Sequence, residues 1–203
     1  MNDSIRALPR SVQCKDGPVE VRYLTAADEN AILAFARDFP SHDLLFLARD
    51  ITEPDEVKGW IRENEAHTMT TLLATRGKEI LGCSIIERGR MSRASHVGEL
   101  FVLTAPAMRG KGLGRQLTQE AFAVALGMGL EKITTQMTID QQSAIEVFES
   151  MGFRGEALLR DHVKDRDGSK HDLVILSHDV ARFQAQLNAY GRPEALGETL
   201  NQA

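Results

Sequence analysis

Val19, Val21 and Tyr23 alternate with polar neighbours in VEVRYL, residues 19–24, and a period of two is that of a half-buried strand. Thr25 follows where an N-cap belongs, so the pattern predicts a helix from there through Phe39. A second helix is expected over ITEPDEVKGWIREN, residues 51–64. Thr52 is its candidate cap, Pro54 and two acids fill its first turn, and Val57, Trp60 and Ile61 share one face. Residues 69–89 read as two strands around Arg76-Gly77-Lys78, and ASHVGELFVL, residues 94–103, reads as a third, which predicts an antiparallel meander.

From Gly110 the period lengthens to that of a helix. Leu113, Leu117, Val124 and Met128 mark the buried face, and Gly127 and Gly129 mark the end. KITTQM is a short strand, SAIEVFESMGF a short helix stopped by Gly152, and the segment after it a hairpin. A turn at Asp167-Gly168 sets Asp165 opposite Lys170 and Lys164 opposite His171. Val180, Phe183, Leu187 and Tyr190 form a last amphipathic stripe, and the polar tail from Gly191 is expected to be loose. The expected organisation is an N-terminal arm (1–18), one α/β domain of α+β type (19–178), and a C-terminal helix with a flexible tail (179–203).

Composition narrows the partners more than the fold. The 203 residues, 42% hydrophobic with six prolines, suit one packed domain. A formal net charge of −5 leaves no global basic field, so neither nucleic acid nor a membrane surface is an expected partner. Any bound anion must be met by a local cluster. Cys14 and Cys83 are far apart in sequence, which suits a reducing compartment, and a cytoplasmic address is expected. The six histidines, His42, His67, His96, His162, His171 and His178, show no ligand spacing, so no metal is expected.

PAMRGKGLGRQL, residues 106–117, supplies such a cluster. Gly110, Gly112 and Gly114 lack Cβ atoms, so the backbone can approach a ligand closely and adopt positive φ. The turn opens a helix, whose free N–H groups and positive dipole end suit phosphate, and Arg109, Lys111 and Arg115 add charge. Arg115 stands where a dinucleotide fingerprint requires its third glycine, and no Gly-Lys-Ser/Thr occurs, so hydride transfer and nucleotide hydrolysis lose their support.

In context, Arg109-x-x-Gly112-x-Gly114 follows the strand ELFVL, and Gln141-x-x-Ala144 with Phe148-x-x-x-Gly152-Phe153 follows the next strand. Here the sequence resembles the GNAT superfamily of acetyl-CoA-dependent N-acyltransferases, with glutamine and phenylalanine where the family usually has asparagine and tyrosine. The resemblance implies a central mixed, mostly antiparallel sheet of six to seven strands flanked by helices. It implies that Gly110, Lys111, Gly112, Leu113, Gly114 and Arg115, with Arg109, hold the pyrophosphate of acetyl-CoA as acyl donor. Phe101, Val102, Leu103 and Thr104 would pair with the pantetheine arm, and Gln141 and Phe148 would flank it. A backbone N–H at Val102 or Leu103 would polarise the thioester carbonyl, a contribution of about 10²- to 10³-fold in rate.

The implied reaction is acetyl transfer to a primary amine by direct attack in a ternary complex, the acceptor being a small molecule or a protein. An amine with a pKa of about 10.4 must lose a proton before it attacks. Glu99 stands where many family members carry the general base, and the plain alternative is an outward-facing strand carboxylate. His96 is a second choice. Phe148 cannot serve as the acid that many relatives have as tyrosine, and neither Tyr23 nor Tyr190 is placed by the pattern to replace it. Arg88, Arg90 and Arg93 are either loop residues or contacts for the CoA 3′-phosphate. The other functional class consistent with Phe148 and Gln141 is a non-catalytic acyl-CoA-binding sensor or interaction module. A homodimer through the C-terminal stripe is the alternative to packing of that stripe on its own sheet.

Overall fold

Eight strands form one sheet in a computed structural model that describes residues 7–44, 47, 49–89, 91–165 and 168–180. In chain order the elements are β1 (Arg10–Cys14), β2 (Gly17–Tyr23), α1 (Glu29–Arg37), α2 (Pro54–Glu65), β3 (Met69–Arg76), β4 (Glu79–Arg88), β5 (Val97–Thr104), α3 (Leu113–Gly127), β6 (Lys132–Thr138), α4 (Gln142–Ser150), β7 (Arg154–Lys164) and β8 (Lys170–Asp179). The sheet order is β1-β2-β3-β4-β5-β6-β8-β7, antiparallel throughout except for β5 beside β6. The expected meander is β3-β4-β5, and the mixed, mostly antiparallel character also agrees.

The strand count exceeds the expected six to seven because residues 10–14 add β1 ahead of Val19. Only Val12 of that strand is buried, so RSVQC carries almost no hydrophobic signal; its place is set by pairing with β2.

Two apolar layers cover the sheet. Leu72, Leu100, Leu113, Leu117, Ala121, Ile133, Phe148 and Phe153 pack together under α3 and α4. On the opposite face Ile32, Phe35, Val57, Trp60, Ile61, Leu73 and Ile85 hold α1 and α2. Trp60 lies at 1% exposure and donates its Nε1–H to Thr71 Oγ1 at 2.9 Å, which satisfies the indole's one polar atom inside that layer.

Local starts and turns differ in detail from the sequence pattern. The first helix is preceded by a 3₁₀ turn, Ala26–Asp28. The Asp28 carboxylate there accepts Thr25 N–H at 2.9 Å and Thr25 Oγ1 at 2.8 Å, and the Arg22 guanidinium at 2.6 and 2.9 Å. α1 proper stops at Arg37 rather than Phe39, whose ring instead packs edge-on against Phe35. Thr52 spends its hydroxyl on Asp50, so Glu53 becomes the N-cap of α2 and Pro54 its first residue. In the last hairpin Lys164 pairs with Lys170 and Val163 with His171, one residue off the expected register. The cause is Asp165, which leaves the ladder to close the loop by accepting Ser169 N–H and reaches His171 Nε2 at 2.7 Å. Asp167, Arg90, Phe183, Leu187, Tyr190 and the tail from Gly191 lie outside the described residues.

Candidate active site

β5 and β6 pair for only three residues, Val97↔Lys132, Gly98↔Ile133 and Glu99↔Thr134. Beyond Glu99, β5 continues to Thr104 on β4, while β6 continues to Thr138 on β8. The two strands therefore part inside the sheet, leaving two facing edges without ladder partners. A cleft opens there, lined by Phe101, Val102, Leu103, Thr135, Gln136, Met137, Gln141, Ala144 and Phe148, with Asp43 and Leu47 from the α1–α2 connection.

The ladder fixes which backbone groups face this gap. Gly89 N–H donates to Val97 C=O, and Ala105 N–H donates to Leu81 C=O, so odd-numbered residues of β5 turn their polar groups toward β4. No bulge interrupts the β4–β5 register between them. By alternation, Leu100, Val102 and Thr104 present N–H and C=O to the gap. Of the two amides that the resemblance nominated, Val102 thus faces the cleft and Leu103 faces β4. Of the four residues from Phe101 to Thr104, Val102 and Thr104 therefore offer backbone here, while the Phe101 and Leu103 side chains pack into the α1–α2 layer.

At the wide end of the cleft, α3 begins against β5. A Cβ on Gly114 would stand 3.7 Å from Thr104 Cγ2, an ordinary contact, and the residue lies inside α3, so neither packing nor a positive φ demands glycine here. Gly110 (φ +69°) and Gly112 (φ +88°) do occupy left-handed conformations, and a Cβ at either would meet nothing within 4 Å. The first helical bond runs from Gln116 N–H to Gly112 C=O, so the amides of Leu113, Gly114 and Arg115 precede any intrahelical acceptor. Leu113's side chain is fully buried, leaving only its amide for the turn. Arg115 Nε is enclosed without an acceptor among the described residues. Arg109 reaches Asp43 at 2.5 Å and Lys111 reaches Asp16 at 3.1 Å. Unspent N–H donors at a helix start, beside cations, make a site for a diphosphate, and a free strand edge is a site for an extended, amide-bearing chain.

Glu99 is the last β5 residue paired to β6, at the apex of the split, on the sheet face covered by α1 and α2. It lies directly across the β4–β5 ladder from Glu87. Burial and then the Glu87 charge push its carboxyl above the usual glutamate range, while a hydrogen bond with the Gln136 side chain pulls in the opposite direction. A partly buried carboxyl with a raised pKa is better matched to taking a proton from an amine than an ordinary surface glutamate. His96 is exposed, ahead of the strand at its closed end, which removes it from the cleft.

Gln141 and Phe148 both line the cleft. Phe148 is 5% exposed and meets Phe153 edge-on at 5.0 Å, so its ring is a wall and a core residue together. Arg88 is drawn away: its guanidinium donates to Ser95 and Met128 carbonyls, the latter at the far end of α3, about 22 Å from the glycine turn. Tyr23 stands on β2, three strands from the cleft. Asp43, Gln136 and Glu87 were not singled out by the sequence. Period two puts Gln136 on the same face of β6 as Thr134, but Glu87 is brought opposite Glu99 only by the β4–β5 register, and nothing local marks Asp43.

Comparisons with known proteins converge on one family. The family model described as "Acetyltransferase (GNAT) family" matches residues 32–153. The putative phosphinothricin acetyltransferase YwnH of Bacillus subtilis is 30% identical over 83 residues, 41% of this chain and 50% of that protein. The chain thus matches about half the length of this curated relative. The acetyltransferase of GNAT family from Streptococcus pneumoniae superposes with a TM-score of 0.70 at 21% identity, over 79% of this chain and 99% of that one. The structure of yncA, a putative acetyltransferase from Salmonella typhimurium with its cofactor acetyl-CoA, gives 0.69 at 20% identity, over 80% and 94%.

Proposed function

The chain belongs to the acetyltransferase (GNAT) family, and from that premise we propose that it transfers the acetyl group of acetyl-CoA to a primary amine by direct attack in a ternary complex. The observation that carries this is the parting of β5 from β6 after Glu99, with the glycine turn at the wide end of the gap. The residues present fit the cosubstrate: the amides from Gly112 to Arg115 and the enclosed Arg115 Nε match a pyrophosphate, and the Val102 and Thr104 edge matches a pantetheine arm. Arg109 and Lys111 add charge, and Gln141, Phe148, Phe101 and Leu103 shape the walls.

Acetyl-CoA, when bound, supplies the activated acyl group. Val102 N–H donates a hydrogen bond to the carbonyl that comes under attack, a donor fixed in place by the sheet. Glu99 accepts the amine's proton, directly or through water, and burial, the Glu87 charge and the Gln136 hydrogen bond set how tightly it holds that proton. Phe148 donates nothing, so the leaving group departs as the thiolate or takes its proton from solvent.

Phe148 also favours a second reading, a module that binds acyl-CoA without turnover. Free thiol release from acetyl-CoA across a panel of small amines, amino acids and peptide lysines separates the two. Turnover with any acceptor supports the enzyme; tight CoA binding with none across the panel supports the module. Among the described residues no helix is long and apolar enough to cross a membrane. Free Cys14 and a buried Cys83, whose thiol is pushed up to about 12 by burial, support a cytoplasmic address, and an amine of small-molecule or protein origin is the partner we propose.

A further inference from the structure

The turn joining β1 to β2 is docked on the glycine turn, across 95 residues of sequence. Lys15 N–H donates to Lys111 C=O at 3.0 Å, and Lys15 Nζ donates to Gly110 C=O at 3.0 Å. Lys111 returns the contact with its ammonium 3.1 Å from Asp16, and Arg76 lies 3.5 Å from the same carboxylate. The hydrogen bond from Lys111, together with the two cations, holds the Asp16 carboxyl below the usual range.

A peptide plane carries the C=O of one residue and the N–H of the next on opposite sides. Fixing Lys111 C=O toward Lys15 therefore turns Gly112 N–H away from Lys15, and no acceptor meets that N–H among the described residues. Glycines at 110 and 112 leave these planes freer to rotate than any other residue would. An external clamp on two successive carbonyls removes that freedom before a ligand arrives.

We infer that Lys15 is a positioning residue for the anion turn: its main-chain N–H holds the Lys111 carbonyl outward, so that the Gly112 amide is aimed at the cosubstrate pyrophosphate, and its Nζ, by holding the Gly110 carbonyl, fixes the preceding peptide plane on which that aim depends. This rests on the reading of the turn as a CoA pyrophosphate site. The clamp lies ahead of residue 32, where the match to the family model begins. Preorganisation of this kind acts on affinity, because the ordering cost is met in folding rather than in binding.

The test is calorimetric titration of the full chain with CoA, comparing wild type with Lys15→Met, Lys15→Arg and, as a control for lost charge, Lys78→Met in the β3–β4 turn. The expected result is a dissociation constant raised about three- to tenfold in Lys15→Met, the range of one ordinary hydrogen bond. Lys15→Arg recovers most of the loss, Lys78→Met is unchanged, and all four proteins share the same ligand-free thermal midpoint. Equal dissociation constants for wild type and Lys15→Met overturn the inference, as does an equal loss in Lys78→Met. A Lys15→Met protein that loses thermal stability but keeps its affinity assigns Lys15 to folding alone and overturns it too. Absence of CoA binding by the wild type overturns the functional reading itself, and this inference with it.

Discussion

Arg109 Nη2 lies 2.5 Å from Asp43 Oδ2, tying the glycine turn to the α1–α2 connection across the mouth of the cleft. The arginine proposed for the pyrophosphate therefore already has an anionic partner, one that also lines the cleft. Cosubstrate and carboxylate compete for one guanidinium. Asp43→Asn is expected to tighten CoA binding by up to about fivefold, the scale of an ion pair partly open to water. Unchanged or weaker affinity by calorimetry contradicts the competition.

Glu99 predicts a pH dependence with a definite sign. Its folded carboxyl holds a proton to higher pH than it does in the unfolded chain, through burial and then Glu87. That contribution to stability is fully present below the unfolded pKa and is lost as pH rises through the folded one. As a base Glu99 must be ionised, so the acid limb of kcat/KM is expected above the ordinary glutamate value of about 4.3. Glu87→Gln removes a like charge and moves that limb to lower pH. Glu99→Gln lowers kcat while leaving the protein at least as stable at neutral pH, and a limb unmoved in Glu87→Gln sinks the assignment.

Gly112 separates backbone strain from ligand approach. Gly112→Ala places a methyl in open space but at φ +88°, so the expected loss is about 1–2 kcal/mol in denaturant titration, from conformation alone. Gly112→Asp adds negative charge in the cradle and is expected to weaken CoA binding more than tenfold. Retained affinity in that variant displaces the pyrophosphate from this turn.

Phe148 is treated as a wall. Phe148→Ala is expected to cost about 3 kcal/mol in stability, because the ring is buried against Phe153. Phe148→Leu is expected to hold kcat within about threefold, since the residue donates no proton; a loss in rate far beyond the loss in stability contradicts that role.

The elements nearest the site were legible because each one's burial is written in its own residues. ELFVL reads as a strand, Leu113 and Leu117 mark the inward face of α3, and Gly110 and Gly112 take the positive φ their lack of Cβ permits. β1 was not legible, since pairing rather than burial holds it and Val12 is its one buried residue. Asp43, Glu87, Gln136 and Lys15 were missed for a related reason. Each acquires meaning only from a partner distant in sequence: Arg109, Glu99 for two of them, and the Gly110–Lys111 carbonyls. The hairpin register slipped by one because Asp165 closes a loop with its side chain, chemistry that charge pairing across strands cannot reveal.

The central claim is that the gap between β5 and β6 and the turn at its wide end form one cosubstrate site, and residue-resolved amide hydrogen exchange with saturating acetyl-CoA tests it most directly. New protection is expected at Val102 and at the Gly112 to Arg115 amides. Little change is expected at Phe101 and Leu103, whose N–H groups already face β4. Saturation binding that leaves Val102 and Gly112 exchanging as in the ligand-free protein would contradict the claim.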